Sequence, residues 1–316
     1  MSKYLTTRRV HAILASKGLL GAGSVFFVDG NHSAAADEPK GDVTDPNARG
    51  RSPDFPFATV DYAVSQCTAN KGDVIVGMPA HAESTTTADA EIFDLDVAGV
   101  TFVGLGEGDK RPTFTLGIAT ATAVIGAAGC RVSNVIFKGD ISDLVAALEV
   151  EAVTGCKVDN CLFYDTATNK DMLIGIKVAA GAHRLTLENN HFLITVGGEA
   201  TEAVDFAGAC DGLVMRNNIL LGDWKGAGGA IGLDAAASAN ILVVGNLVKN
   251  ADAGVGLVMD LHASTTGLIH NNIACGTKSN TETITGGEAV HIGLNYGSDA
   301  VAVSSLQTPA ATAAWA

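Results

Sequence analysis

The chain has 316 residues, 20 of them basic and 34 acidic, for a net charge of −14 and a pI near 4.8. An acidic surface repels phosphates, so binding to a nucleic-acid backbone is disfavoured. Hydrophobic residues make up 47% of the chain but aromatics only 5%, so the core must be built mainly from Val, Ile, Leu and Ala. No run reaches the roughly 18 apolar residues a membrane span needs, and no membrane, cofactor or metal is expected.

Residues 1–24 carry Lys3, Arg8, Arg9 and Lys17 and no acid. They read as a basic arm on an acidic body, helical over the first half and suited to pairing with an acidic partner. Arg8-Arg9 ahead of VHAILASKGLLGAGSVFFV has the outline of a twin-arginine export signal. Lys17 interrupts the apolar run and no clean cleavage site follows, so export is not expected.

Residues 25–96 form a second region. SVFFVDG reads as a strand, and NHSAAADEPKGDVTDPNARGRSPDFP as a polar loop with little to bury. Phe57, Val60, Ala63, Val64 and Cys67 then follow the helical period, and DVIVGMPAHAES returns to a strand. An amphipathic helix here would cap an open core.

From about residue 97 to 303 the chain repeats itself at a step of roughly 27 residues. Segments align on Asn134, Asn160, Asn189, Asn217, Gly245 and Asn271. Two before this anchor stand Val132, Val158, Leu187, Met215, Val243 and Ile269; three after it stand Phe137, Phe163, Phe192, Leu220, Val248 and Ala274. The second half of each unit alternates around Leu148, Ile176, Val204, Ile231 and Leu257, which predicts strands with one buried face. A unit this short has no room for a crossover helix, and its corners are Gly or Asn. It predicts a parallel β-solenoid of about seven or eight coils, with Asn at corners for its left-handed tolerance and its coil-to-coil hydrogen bonds. Residues 304–316, ending near Trp315, read as a small, weakly structured tail.

The six cysteines show no CxxC and no Cys/His metal spacing. Cys130 and Cys156 occupy equivalent places in adjacent coils, and small buried thiols are the favoured reading over a disulfide. GLGEGDKRP from Gly104 is a turn between strands, not a phosphate loop. His191, next to an Asn of the repeat, reads as a hydrogen-bonded corner histidine.

The run from Val25 to Ser84, with its FFVDG strand and SPDFPFATVDYAVSQCTANKGDVIVGMPAHAES, followed by GVTFVGLG, resembles the opening of right-handed parallel β-helix proteins of the pectin-lyase-like type. It is similar in particular to structural proteins of tailed bacteriophages and prophages. The resemblance extends to about residue 300 and implies the fold. The superfamily includes lyases, polygalacturonases, tailspike depolymerases and non-catalytic virion proteins, so chemistry has to be sought in sites.

Coil alignment places Glu149, Lys177 and Asp205 in one outward column, and Glu151, Asp234 and Asp260 in the next. Asp234 and Asp260, on successive coils, are the candidate acid and base of a polysaccharide lyase or hydrolase. Against an enzyme stand the scarcity of aromatics, the absence of GHG, NTD and RxPxxR signatures, and the frequency of charge ladders on outward strand positions. With the resemblance, these imply a non-enzymatic virion protein, a capsid decoration protein assembled in the host cytoplasm. It would be a homotrimer bound to capsid or other virion proteins through Lys3, Arg8, Arg9 and Lys17. The alternative is a polysaccharide lyase or hydrolase, free or carried by a virion, with carbohydrate as partner.

Overall fold

A computed structural model describes residues 7–16, 23–39, 49–85, 91–195, 197–252, 254, 258–276, 284–287, 289–293, 295–298 and 305–307. It is an all-β, right-handed parallel β-solenoid with two short α-helices, α1 (Thr7–Ser16) and α2 (Val60–Ser65).

Three sheets of ten, eight and ten strands run the length of the solenoid. We call them sheet A, which starts at Val25–Val28, sheet C, which starts at Glu91–Asp94, and sheet B, which starts at Ala82–Thr85. One coil visits each in turn: Arg131–Ser133 in sheet A, Ile136–Gly139 in sheet B and Leu148–Val150 in sheet C, before Lys157–Asp159 returns to sheet A. The ladder of sheet A begins with Val25–Val28 and Val74–Gly77, well before residue 97.

The repeat columns are the register of the sheets. Val132, Val158, Leu187, Met215, Val243 and Ile269 pair in sequence across sheet A. Phe137, Phe163, Phe192, Leu220, Val248 and Ala274 do so across sheet B. All twelve are buried, because period-2 alternation turns them to the interior. The phenylalanines stack as rings, Phe137 on Phe163 at 4.9 Å and Phe163 on Phe192 at 4.6 Å with planes within 6°.

The anchor column turns the corner from sheet A to sheet B. Asn134, Asn160, Asn189, Asn217 and Asn271 have φ between 55° and 60°, and Gly245 has φ of 68°. A single left-handed residue makes this bend, and only Asn and Gly adopt it readily. The coil-to-coil amide chain expected of this column belongs instead to the residue after it. Asn218 Oδ1 accepts the backbone N–H of Asn190, Asn246 Oδ1 that of Asn218, and Asn272 Oδ1 that of Asn246, each at 2.9 Å. Their Nδ2 groups donate to Val158, Leu187, Met215 and Val243 carbonyls. Buried amides survive here because each finds its partners.

One column shifts. Ile231 pairs with Met259, not with Leu257. The connection before this strand is two residues longer than the repeat suggests, and leucine and methionine both satisfy an apolar pattern.

Helix α2 buries Val60, Ala63 and Val64 against the first coils, with Thr59 as its N-cap. Helix α1 lies on the outer face of sheet A, where Val10 and Leu14 pack with Phe27, Val74, Val76 and Val103. Arg8 and Arg9 therefore belong to a docked helix, while Lys3 and Lys17 lie outside the described residues. In the polar loop, residues 40–48 lie outside the described residues, and its near end is tied down by Asp37, which accepts the N–H groups of Ala58 and Thr59. Of the tail, Ser305–Gln307 pairs antiparallel with Asn295–Ser298, and Trp315 lies outside the described residues.

Cys130, Cys156, Cys161 and Cys210 are buried thiols, and no disulfide forms among the described residues. Burial pushes the Cys161 thiol up to about 12 and that of Cys130 to about 11.

Candidate active site

Sheet C carries the acidic column. Its outward positions run Glu149, Lys177, Asp205, Gly232 and Asp260, residue against residue. Asp260 thus belongs to the column of Asp205, and Asp234 falls two residues past the rung where Gly232 faces Asp260. The predicted Asp234–Asp260 pair is not a stacked pair. Asp260 instead accepts the Thr285 hydroxyl at 2.6 Å. Lys177 Nζ donates to Glu149 at 2.9 Å.

Asp234 does gather with two other carboxylates. Glu202 and Asp205 lie three apart in the strand Glu202–Phe206, a spacing that plain alternation would send to opposite faces. The hydrogen bonding is irregular here, although the register with Ile174–Val178 is unbroken. The N–H groups of Thr201 and Glu202 both donate to Leu173 O, at 2.8 and 3.2 Å, and those of Ala203 and Val204 both donate to Ala230 O, at 2.9 and 3.2 Å. Both carboxylates end up half-buried on the outer face, while Val204 and Phe206 stay in the core.

Glycines open the space for them. A Cβ added at Gly232 would lie 3.7 Å from Glu202 Cγ and 3.8 Å from Asp234 Oδ1. Gly232 is therefore the gap across which these two side chains approach. A side chain at Gly226 would run into Glu202 Oε1. The GAGGAIG stretch, unremarkable as sequence, is the wall of this acidic pocket.

Electrostatics follow from the packing. Burial pushes the Glu202 carboxyl up, and the charges of Asp205 and Asp234 add to it, while an N–H from Gly228 works the other way. Burial likewise raises Asp205, with Asp234 adding to it and Lys177 opposing. Farther along the sheet, Asp94 is raised to about 6, first by burial and then by Asp96, Glu91 and Glu151. Carboxyls whose proton is held near neutral pH can act as general acids, and neighbouring carboxylates as bases or nucleophiles. Among the described residues, no group of three or more His, Cys, Asp or Glu is arranged to hold a metal ion. No helix among them is long and apolar enough to cross a membrane.

Nothing in the sequence singles out Glu202, which stands before the alternating VDFAG segment. Asp205 was visible but looked like one rung of a charge ladder. Trp224 is fully buried, not a platform for sugar.

No protein-family model matches the sequence, and no curated protein matches it. Solved structures do. A pectate lyase from Bacillus sp. N165, in complex with trigalacturonate, is 12% identical with a TM-score of 0.47, over 72% of this chain and 73% of that one. A rhamnogalacturonan lyase is 12% identical with a TM-score of 0.43, over 86% and 87%. An alginate lyase from Paenibacillus sp. str. FPU-7 is 12% identical with a TM-score of 0.36, over 73% and 96%. All three resemble this chain in fold. The expectation of a non-enzymatic capsid-decoration protein is corrected: the three structures found are polysaccharide lyases. At this identity the likeness is one of fold, and the chemistry must come from this chain's own residues.

Proposed function

We propose that the protein cleaves glycosidic bonds of a polysaccharide on the outer face of sheet C, free or carried on a particle. The observation that carries this reading is the grouping of Glu202, Asp205 and Asp234, where burial and neighbouring charge raise the proton affinity of Glu202 and Asp205. An isolated charge ladder needs no such glycines beside it.

In this reading Glu202, the carboxyl flanked by both others, donates a proton to the departing glycosidic oxygen. Asp234 or Asp205, ionised, assists attack at the sugar carbon from the other side. A second reading is favoured by Lys177, which stands between Glu149 and Asp205 in the same column. There Lys177, in its neutral form, would withdraw the proton beside a uronate carboxyl, a neighbouring carboxylic acid such as Glu202 would protonate the departing oxygen, and the bond would break by elimination.

The test is a panel of acidic and neutral polysaccharides assayed for new reducing ends and for the ultraviolet absorbance of an unsaturated uronate. Reducing ends without that absorbance indicate hydrolysis; both together indicate elimination. No cleavage of any polymer, or full cleavage by a Glu202→Gln, Asp205→Asn, Asp234→Asn triple variant, refutes the assignment.

A further inference from the structure

A second concavity lies on the corner between sheets A and B, apart from the sheet C carboxylates. About 310 Å³ of space is lined there by Glu107, Arg111, Asn134, Asn160, Asn189 and His191, together with glycine backbone. In the next coil the link between these sheets is just Asn134 and Val135. In this coil it runs from Leu105 to Pro112 and includes the 3-10 turn Gly108–Lys110, which brings Arg111 over the corner asparagines.

Arg111 is fixed by the protein but not neutralised by it. Its Nε donates to Gly108 O at 2.9 Å and its Nη1 to Asn160 O at 3.1 Å. Two of five N–H groups are thus used to hold the guanidinium plane, and three remain. Among the described residues no carboxylate lies within ion-pair distance of it, whereas in the adjoining strands of sheet A Arg131 pairs with Asp159, and Lys157 and Arg216 with Glu188. Burial works against its charge. A half-buried, pre-oriented cation without a carboxylate is unusual in a chain of net charge −14, and a planar guanidinium suits bidentate capture of a carboxylate.

The rest of the lining points to what carries that carboxylate. Asn134 uses its NH₂ on the Gly104 and Gly106 carbonyls, and Asn160 uses its own on Asp159. Each leaves an amide oxygen, which accepts from hydroxyl groups. Burial and Arg111 lower the His191 pKa, so its imidazole is neutral at pH 7 and able to accept or donate. Glu107 is exposed at the rim and is the one anion lining the cleft. Oxygen acceptors around a single cation disfavour a bare phosphate, which brings acceptors of its own. They favour a ligand with one anionic group and several hydroxyls.

We propose that this corner cleft binds an acidic sugar, with Arg111 holding its carboxylate and the corner asparagines its hydroxyls. The proposal draws on the carbohydrate-active reading only for the polymer that would present such a sugar.

Glucuronate, glucose and inorganic phosphate, each titrated into the full chain and followed by NMR at the His191 imidazole, provide the test. Glucuronate is expected to shift the signal saturably, glucose to bind at least about tenfold more weakly, and phosphate to compete poorly. Arg111→Gln should weaken glucuronate binding about tenfold, and Glu107→Gln should strengthen it several-fold. Equal binding of glucose, or phosphate binding as tightly as glucuronate, overturns the proposal. So does an Arg111→Gln protein that folds and binds as before. Where Arg111→Gln fails to fold, a Glu107→Gln variant with unchanged affinity overturns it. Polysaccharide cleavage is assayed on the same variants, so loss of glucuronate binding with cleavage intact, or the reverse, separates this site from the sheet C reading.

Discussion

Gly232 stands in register with Asp260 across sheet C, and this pairing leaves Asp234 to face Glu202 rather than Asp260. A glycine on the outward column is what permits the approach. Any side chain there would fill the gap between the two carboxyls.

Filling that gap is the first prediction. Gly232→Val should abolish polysaccharide cleavage while leaving the fold intact, because the added carbons meet Glu202 and Asp234 outside the core. Unchanged circular dichroism with cleavage lost would bear this out; undiminished cleavage would remove Glu202 from the site.

The pH profile offers the second. A reaction that needs a protonated Glu202 loses rate as pH rises through its pKa. Asp234→Asn removes a charge that raises Glu202, so the alkaline limb of the remaining rate should move to lower pH. Lys177→Met removes a charge that lowers Asp205, so an acid limb governed by an ionised Asp205 should move to higher pH. Initial rates from pH 4 to 9 on one active polymer would measure both.

Asp94 yields a stability prediction with a definite sign. Burial and its acidic neighbours push its carboxyl from the ordinary 3.8 up to about 6, so the folded state binds its proton more tightly. Stability falls as pH rises between those values, and the penalty is complete above the folded pKa. Asp94→Asn should therefore stabilise the protein above pH 6, on the order of 1 kcal/mol once solvent screening is allowed for. Below the lower value the substitution should have no such effect. Urea unfolding at pH 7.5 and pH 3.5 would show the difference.

The asparagine chain gives a fourth. Asn218→Ala leaves Asn190 without its acceptor and Leu187 O without its donor, both buried. At about 1–3 kcal/mol for each unsatisfied group, the loss should reach about 3 kcal/mol. Asn217→Gly, one residue earlier, sits in the left-handed bend and should cost far less. Comparing the two urea midpoints tests which asparagine of the pair carries the chain.

The fold was legible because its units are short and its columns repeat: Val132 to Ile269 and Phe137 to Ala274 can be read directly as stacked rungs. The doublets Asn189-Asn190, Asn217-Asn218 and Asn271-Asn272 held a further signal. The first asparagine bends the chain and the second hydrogen-bonds along the axis, roles that merge when a single anchor is aligned. The site was harder to see. A two-residue excess before Met259 moved Asp260 by one column, and apolar patterning could not detect it because Leu257 fits the pattern as well. Glu202 and Asp205 share a face against the plain alternation of a strand, and Arg111 meets the corner asparagines through a turn whose reach is a tertiary property.

The ring stack and the asparagine chain divide the long axis between them. Aromatic contacts link Phe93, Phe114, Phe137, Phe163 and Phe192, and the amide chain runs from Asn190 to Asn272. They meet at the coil of Asn190 and Phe192, two residues apart. Three backbone ladders join every coil along this axis, and they are reinforced in turn by two different devices, ring contacts in the earlier coils and amide bonds in the later ones.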